Sequence, residues 1–252
     1  MPGSAVAAAR GADELFEVEY VDRHGRLVRA DLLDCWRYPF EDSRPSRSFP
    51  VYRGQKNFSG WWWTATTGGH VGYESWLERS SLIELDFDPA VVGIASQPMW
   101  LHWPQGGKRR RHAPDYFVRK ADGTGVLVDV RAHDRVKPED ADTFAAAGRA
   151  CAQVGWHFLH LGVPAGIRAA NLRWLAGYRH PRNWRPETSG LLWEAFAEPR
   201  PLFQGADVVG SRIAVLPVLF HLMWRRMLVA DLDCSLLGPE TVVHAGEAIA
   251  DE

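Results

Sequence analysis

The stretch "GVLVDVRA" (125–132) is a continuous apolar strand interrupted by one carboxylate, and that acid constrains the chain more than any other residue. An ionised Asp129 in such a run must be hydrated, paired or bound to a metal. Just upstream, "RRRHAPDYFVRKADGTG" supplies a second short strand and a tight turn, with Asp115 set behind Pro114. Cross-strand neighbours in a hairpin approach to about 5 Å, so Asp115 and Asp129 can converge at little cost. Side chains alternate along a strand, which puts Arg131 next to Asp129 on the same face. Taken alone, Asp129 and Arg131 could equally be a structural ion pair.

Around this hairpin the chain alternates helical and strand-like periods. After a loose start at 1–15, "FEVEYVDRHGRLVRADLL" (16–33) alternates apolar and polar residues about "DRHG" and reads as a β-hairpin. Residues 38–60 read as loop. Three successive tryptophans at 61–63 must point to alternate faces of a strand, so at least one belongs to the core, although a base-stacking platform is the other reading. "YESWLERSSLIELDFD" spaces Tyr73, Trp76, Leu77, Ser80 and Ile83 as one helical stripe closed by "DFDP". Next come a strand-rich segment (91–103), the hairpin, a helix over 137–155 opened by Pro and acids and closed by Gly, and a buried strand at 156–163. A further helix over 167–178 has Ile167, Ala170, Trp174 and Tyr178 in register.

That order predicts an α/β domain over 16–180, a sheet flanked by helices. After a polar linker (179–190), three short helical pieces and "SLLGPETVVHA" as two strands and a turn suggest a winged helix-turn-helix over 188–246. A helical cap packed on the first domain is the alternative.

Composition narrows the function. With 252 residues, 46% hydrophobic and 24% charged, disorder is expected only at the ends. The longest apolar stretch, 213–224, is shorter than the roughly 18 residues of a membrane span. The opening residues lack the apolar core of a signal peptide, so no membrane association and a cytoplasmic location are expected. Cys35, Cys151 and Cys234 have no CxxC spacing, which argues against a disulfide framework or a structural zinc. A net charge of −2 does not mark the whole chain as a nucleic-acid binder, but "KRRRH" (108–112) and "WRRM" (224–227) concentrate positive charge. Arg109, Arg110, Arg111, His112, Arg225 and Arg226 are therefore candidate DNA contacts, with a solvated face as the plainer reading. His157 and His160 point to opposite faces of one strand and are poor partners for one metal.

A hydrolytic magnesium site needs hard oxygen ligands from two or three carboxylates. Glu74 and Glu78 share one helical face, and either could look into the site or simply face solvent. The ordered set "LER" (77–79), "APDYF" (113–117) and "VDVR" (128–131) resembles the PD-(D/E)xK nuclease superfamily, and the span 73–131 is similar to the TnsA-like endonuclease subunits of heteromeric transposases. The resemblance implies a restriction-endonuclease-like mixed sheet flanked by helices with a C-terminal winged helix-turn-helix. It favours Glu78 over Glu74 and implies Mg²⁺ or Mn²⁺ held by Glu78, Asp115 and Asp129, with the carbonyl of Val130 completing the site. It further implies cleavage of double-stranded DNA at the ends of a mobile element, a DDE-type transposase subunit as partner and an ATPase regulator as a further one.

One position departs from the pattern. Where the family carries lysine, this chain carries Arg131. A buried lysine can lose its proton and arginine effectively cannot, so Arg131 is excluded as a general base. It could still orient a water or stabilise negative charge in the transition state. The rival from another class is a DNA- or partner-binding adaptor that keeps the nuclease fold without its chemistry. A nuclease of a defence system is a third reading.

Overall fold

Alternation about a glycine turn builds the first element of a mixed α/β structure. A computed structural model describes residues 15–47 and 58–246. Residues 1–14 and 48–57, with most of the expected loose start and much of the expected loop, lie outside the described residues. Strands β1 (Glu17–Val21) and β2 (Leu27–Asp31) form the first hairpin, closed by Gly25 at a φ of 83°. A short helix α1 (Leu32–Cys35) follows. The next stretch is not all loop, because residues 40–42 form a 3-10 turn that buries Phe40 completely.

Strands β3 (Gly60–Trp63) and β4 (His70–Tyr73) pair as a separate ribbon. Of the three tryptophans, Trp62 is buried and Trp61 exposed, as alternation requires. Helix α2 (Trp76–Phe87) starts where Ser75 accepts a hydrogen bond from the Glu78 amide. After it come β5 (Val91–Ser96), β6 (Trp100–Gln105), β7 (Lys108–His112), β8 (Tyr116–Lys120) and β9 (Gly125–Val130). Helix α3 (Pro138–Val154) opens with a proline in its first turn and ends at Gly155, φ 73°. Strand β10 (His157–Leu161) and helix α4 (Gly166–Leu175) complete this half.

Two four-stranded sheets result, in the orders β2-β1-β6-β7 and β10-β9-β8-β5. In the second, β5, β8 and β9 are antiparallel and β10 runs parallel to β9. Residues of β8 and β9 supply both cores: Tyr116, Val118, Val126 and Val128 pack into one cluster with α2, whereas Phe117 and Leu127 pack into another with Phe40 and the alanines of α3. Apolar residues on both faces are what a sheet covered on both sides needs.

Three expectations fail here. On α2 the expected stripe is not the buried face: Tyr73 belongs to β4 and Trp76 is exposed, whereas Ser81, Leu82, Ile83, Leu85, Asp86 and Phe87 are buried. Strand β10 is an edge strand, and its residues are exposed or half-buried rather than core. On α4, Trp174 and Ile167 are exposed while Asn171, Leu172 and Leu175 are buried, a face shifted from the expected stripe. The reason is Asn171, whose amide donates to the carbonyls of Leu232 (2.9 Å) and Ser235 (2.8 Å) and accepts from the Leu237 amide (2.9 Å). A buried amide fully bonded in this way can face inward at no net loss.

The expected linker is partly helical, since α5 (Pro186–Ala195) begins inside it. Then follow β11 (Arg200–Pro201), α6 (Leu202–Val209), α7 (Arg212–Trp224), β12 (Leu228–Ala230) and β13 (Val242–Ala245), with the three strands ordered β11-β13-β12. Three helices were expected, but the expected second piece, 206–217, spans the α6–α7 junction, and residues 228–230 are strand rather than helix. This C-terminal part shares a hydrophobic cluster with the first, running from Leu82 and Ile83 through Leu172 and Leu175 to Leu219 and Trp224. Among the described residues no helix is long and apolar enough to cross a membrane.

Helices α5 and α6 meet over Gly205, where a Cβ would stand 2.1 Å from Cζ of the buried Phe196. Gly205→Ala is expected to cost about 1–3 kcal/mol, the range for overpacking. Urea unfolding checks this, and an unchanged midpoint would show that Phe196 can move aside.

Candidate active site

Proline and register together build the acidic end of the β8–β9 hairpin. The last ladder pair is Tyr116 with Val128. One step further, Asp115 faces Asp129, and the residue before Asp115 is Pro114, which has no amide to donate. The Asp115 carboxylate takes over the open edge: its Oδ2 accepts from the Val130 amide at 2.7 Å. Its own carbonyl accepts from the Gln97 amide at 2.9 Å, which fastens it to the end of β5. Two carboxylates opposed across neighbouring strands repel. Burial, and then the charges of Asp129 and Glu78, push the Asp115 carboxyl well above the usual carboxylate range, and the Val130 amide pulls it back only in part.

Asp129 is 2% exposed. Its two oxygens lie 2.8 and 2.9 Å from Nε2 of His112, at the end of β7. His112 therefore belongs to the acid pair and joins the two large sheets, whereas it was expected to extend the basic run. Arg131 lies in the same cleft, 45% exposed along its side chain, and its Nη1 meets Asp140 Oδ2 at 2.7 Å. That same oxygen accepts from the Lys137 amide at 3.0 Å in the first turn of α3. Arg131 follows the last residue of β9 and shares the cleft with Asp129, but its ion pair is with Asp140.

These groups line a cleft of about 290 Å³, together with Arg47, Trp100 and Arg111. Glu78 is not on its wall. The Glu78 carboxylate is folded back on its own helix start, with Oε1 accepting from Ser75 Oγ (2.8 Å) and Oε2 from the Glu74 amide (2.7 Å). Burial raises its proton affinity, and these two bonds lower it. Glu74 bonds Arg47 Nη2 at 2.7 Å, and its other oxygen, Oε1, is buried without a hydrogen-bond partner.

The structure therefore gathers Asp115, Asp129, Val130, Arg131, Arg111 and His112, with Glu78 and Glu74 behind them, near enough for their charges to act on Asp115. The other basic candidates go elsewhere. Arg109 pairs with Glu17, and Arg226 lies 4.8 Å over Phe87. Arg110 stands exposed on β7 and Arg225 is exposed at the end of α7.

Among the described residues no group of three His, Cys, Asp or Glu side chains is drawn together closely enough to hold a metal ion. The chemistry of the donors nevertheless fits a hard divalent cation. Asp115 is an acid raised by burial and then by its acidic neighbours, Glu74 Oε1 has no donor among the described residues, and oxygen ligands dominate.

Sequence reasoning missed two members of this site. Arg47 and Asp140 come from segments that carry no motif, and only tertiary packing brings them in. Gln97 is 1% exposed with a φ of 46°, a conformation uncommon for a non-glycine residue, and its Oε1 is buried without a partner. No periodicity marks it, but its interval from Glu78 is part of the resemblance to the TnsA-like subunits. Comparison with family models finds no match to this chain, and comparison with curated proteins finds none either.

Proposed function

We propose that the chain is a metal-dependent DNA endonuclease subunit of a heteromeric transposase, cutting a strand at the ends of a mobile element. The observation that carries this reading is the opposition of Asp115 and Asp129 at one end of a hairpin, in a cleft shared with Arg131. The element order α2, β5, β8, β9, α3, β10 supports a restriction-endonuclease-like fold. The order α5, β11, α6, α7, β12, β13 supports a winged helix. Asp115, Asp129, Glu78 and the Val130 carbonyl would hold Mg²⁺ or Mn²⁺, provided that Glu78 leaves its bonds to Ser75 and the Glu74 amide. Such an ion, when bound, lowers the pKa of an attacking water and offsets charge on the scissile phosphate.

The chain's own residues divide the remaining work. Arg131 presents a permanent cation to the phosphate once it leaves Asp140, and it takes no proton. Arg111 and Arg47 add positive potential to the cleft wall and so favour a polyanion. The C-terminal part carries four arginines and no lysine against six carboxylates over 188–246, which favours docking to a protein partner, such as a DDE-type transposase subunit or an ATPase regulator, over a DNA-reading role.

A second reading has its own support. Arginine in place of the family's lysine, held by Asp140, is what an adaptor with a retired site would carry. Nicking of supercoiled plasmid in Mg²⁺ or Mn²⁺, with and without a DDE-type partner, separates the two. The expected result is metal-dependent nicking that stops on chelation. No nicking by the native chain under either metal, together with nicking by Arg131→Lys, would replace the enzyme with the adaptor.

A further inference from the structure

The outward face of α2 carries groups that the acidic cleft does not use. Trp76, Arg79, Ser80 and Ile83 recur at three- and four-residue steps on the side of the helix away from Glu78. With Arg173 of α4 they line an open cleft of about 330 Å³ that, among the described residues, contains no carboxylate. Trp76 is 55% exposed and Phe58 is 61% exposed, yet their rings lie 15° from parallel with centroids 5.1 Å apart, a stacked pair held at the surface. The Arg79 guanidinium stands 5.1 Å from the centroid of the Trp76 ring and 4.9 Å from that of the buried Trp62, which fixes its plane. Among the described residues its buried Nε has no hydrogen-bond partner.

A surface-exposed aromatic stack bordered by two arginines, with no acid beside it among the described residues, suits a ligand that joins a flat apolar face to an anion. We infer that this shelf binds an unpaired nucleotide of a DNA strand. A base extends the Phe58–Trp76 stack, and the adjoining phosphate lies between Arg79 and Arg173. The flatness of the ring pair favours a base over an aliphatic side chain, and an oriented guanidinium favours a phosphodiester. In fully paired DNA the bases are stacked on one another and cannot reach the shelf, so the site selects strands that are frayed, flapped or single. The choice of nucleic acid rests on the endonuclease reading above, whereas the shelf itself lies outside the acidic cleft.

The test is binding of a fluorescein-labelled single-stranded oligonucleotide, and of the same sequence fully paired, to the full chain in EDTA. Without metal, success or failure of cleavage has no bearing on the result. Trp76→Ala is expected to weaken single-strand binding about tenfold while changing duplex binding less than twofold, and Trp76→Phe to restore most of it. Arg173→Ala should lower the salt dependence of single-strand binding by about one phosphate contact. Equal losses on both DNAs, no effect of Trp76→Ala, or no single-strand binding by the native chain would overturn the inference. So would Trp76-dependent binding of a Glu-Trp repeat peptide by a chain that ignores the oligonucleotide, because the shelf would then be a peptide site.

Discussion

Asp115→Asn is expected to reduce metal-dependent nicking about a thousandfold and, in the same molecule, to raise the unfolding temperature. The first effect follows from removing one charge from a site that, on the proposed reading, holds a cation. Three decades of rate correspond to about 4 kcal/mol of barrier. The second follows from the company Asp115 keeps. Burial and the charges of Asp129 and Glu78 raise its folded-state pKa above the unfolded value. The stability that Asp115 contributes is therefore fully present below the ordinary aspartate pKa of about 3.9 and is lost as pH rises through the raised value. At pH 8 its charge works against the fold. Asparagine removes the charge but keeps an oxygen for the Val130 amide, so a rise of roughly 2–4 °C is expected at pH 8, shrinking toward pH 4. Mg²⁺ should raise the melting temperature of the native chain and leave that of Asp115→Asn nearly unchanged. A variant that nicks at the native rate would remove Asp115 from the chemistry. One that melts lower at pH 8 would show that its bond to Val130 outweighs the repulsion.

Phe40→Ala is expected to cost about 3–5 kcal/mol, the range for emptying a fully buried aromatic site. Phe40 has no exposed surface, and its ring centroid lies 5.0 Å from that of Tyr20, 5.7 Å from that of Phe117 and 5.6 Å from that of Trp156. It therefore touches the first hairpin, the central sheet and the entry to β10 at once. Cluster packing of this kind leaves a cavity that cannot collapse without moving two sheets. Chemical denaturation measures the loss, and a change below about 1 kcal/mol would mean that the neighbours close over the gap.

Phe40 also shows why part of the fold was illegible. It lies in a stretch whose Pro, Ser and Arg content reads as loop, and a single aromatic in a 3-10 turn has no period to detect. The existence of the first hairpin, α2 and α3 was legible because alternation, helical spacing closed by Asp-Pro and a Pro-to-Gly frame are local signals. The face of α4 was not, since Asn171 is polar by sequence and becomes core only by reaching carbonyls about sixty residues away. At the site, the opposition of Asp115 and Asp129 follows from hairpin register alone. Neither the pairing of His112 with Asp129 nor the hold of Asp140 on Arg131 could be read, because each joins elements that are neighbours only in three dimensions.

Helix α2 has one end at Glu78 and the other at Phe87, where the ring meets Trp224 of α7 with centroids 5.2 Å apart and is covered by Arg226. A rigid rod of twelve residues thus runs from the acidic site to the C-terminal helices. A partner that held those helices would therefore hold the far end of the same helix whose first turn carries Glu78, with no contact near the cleft required.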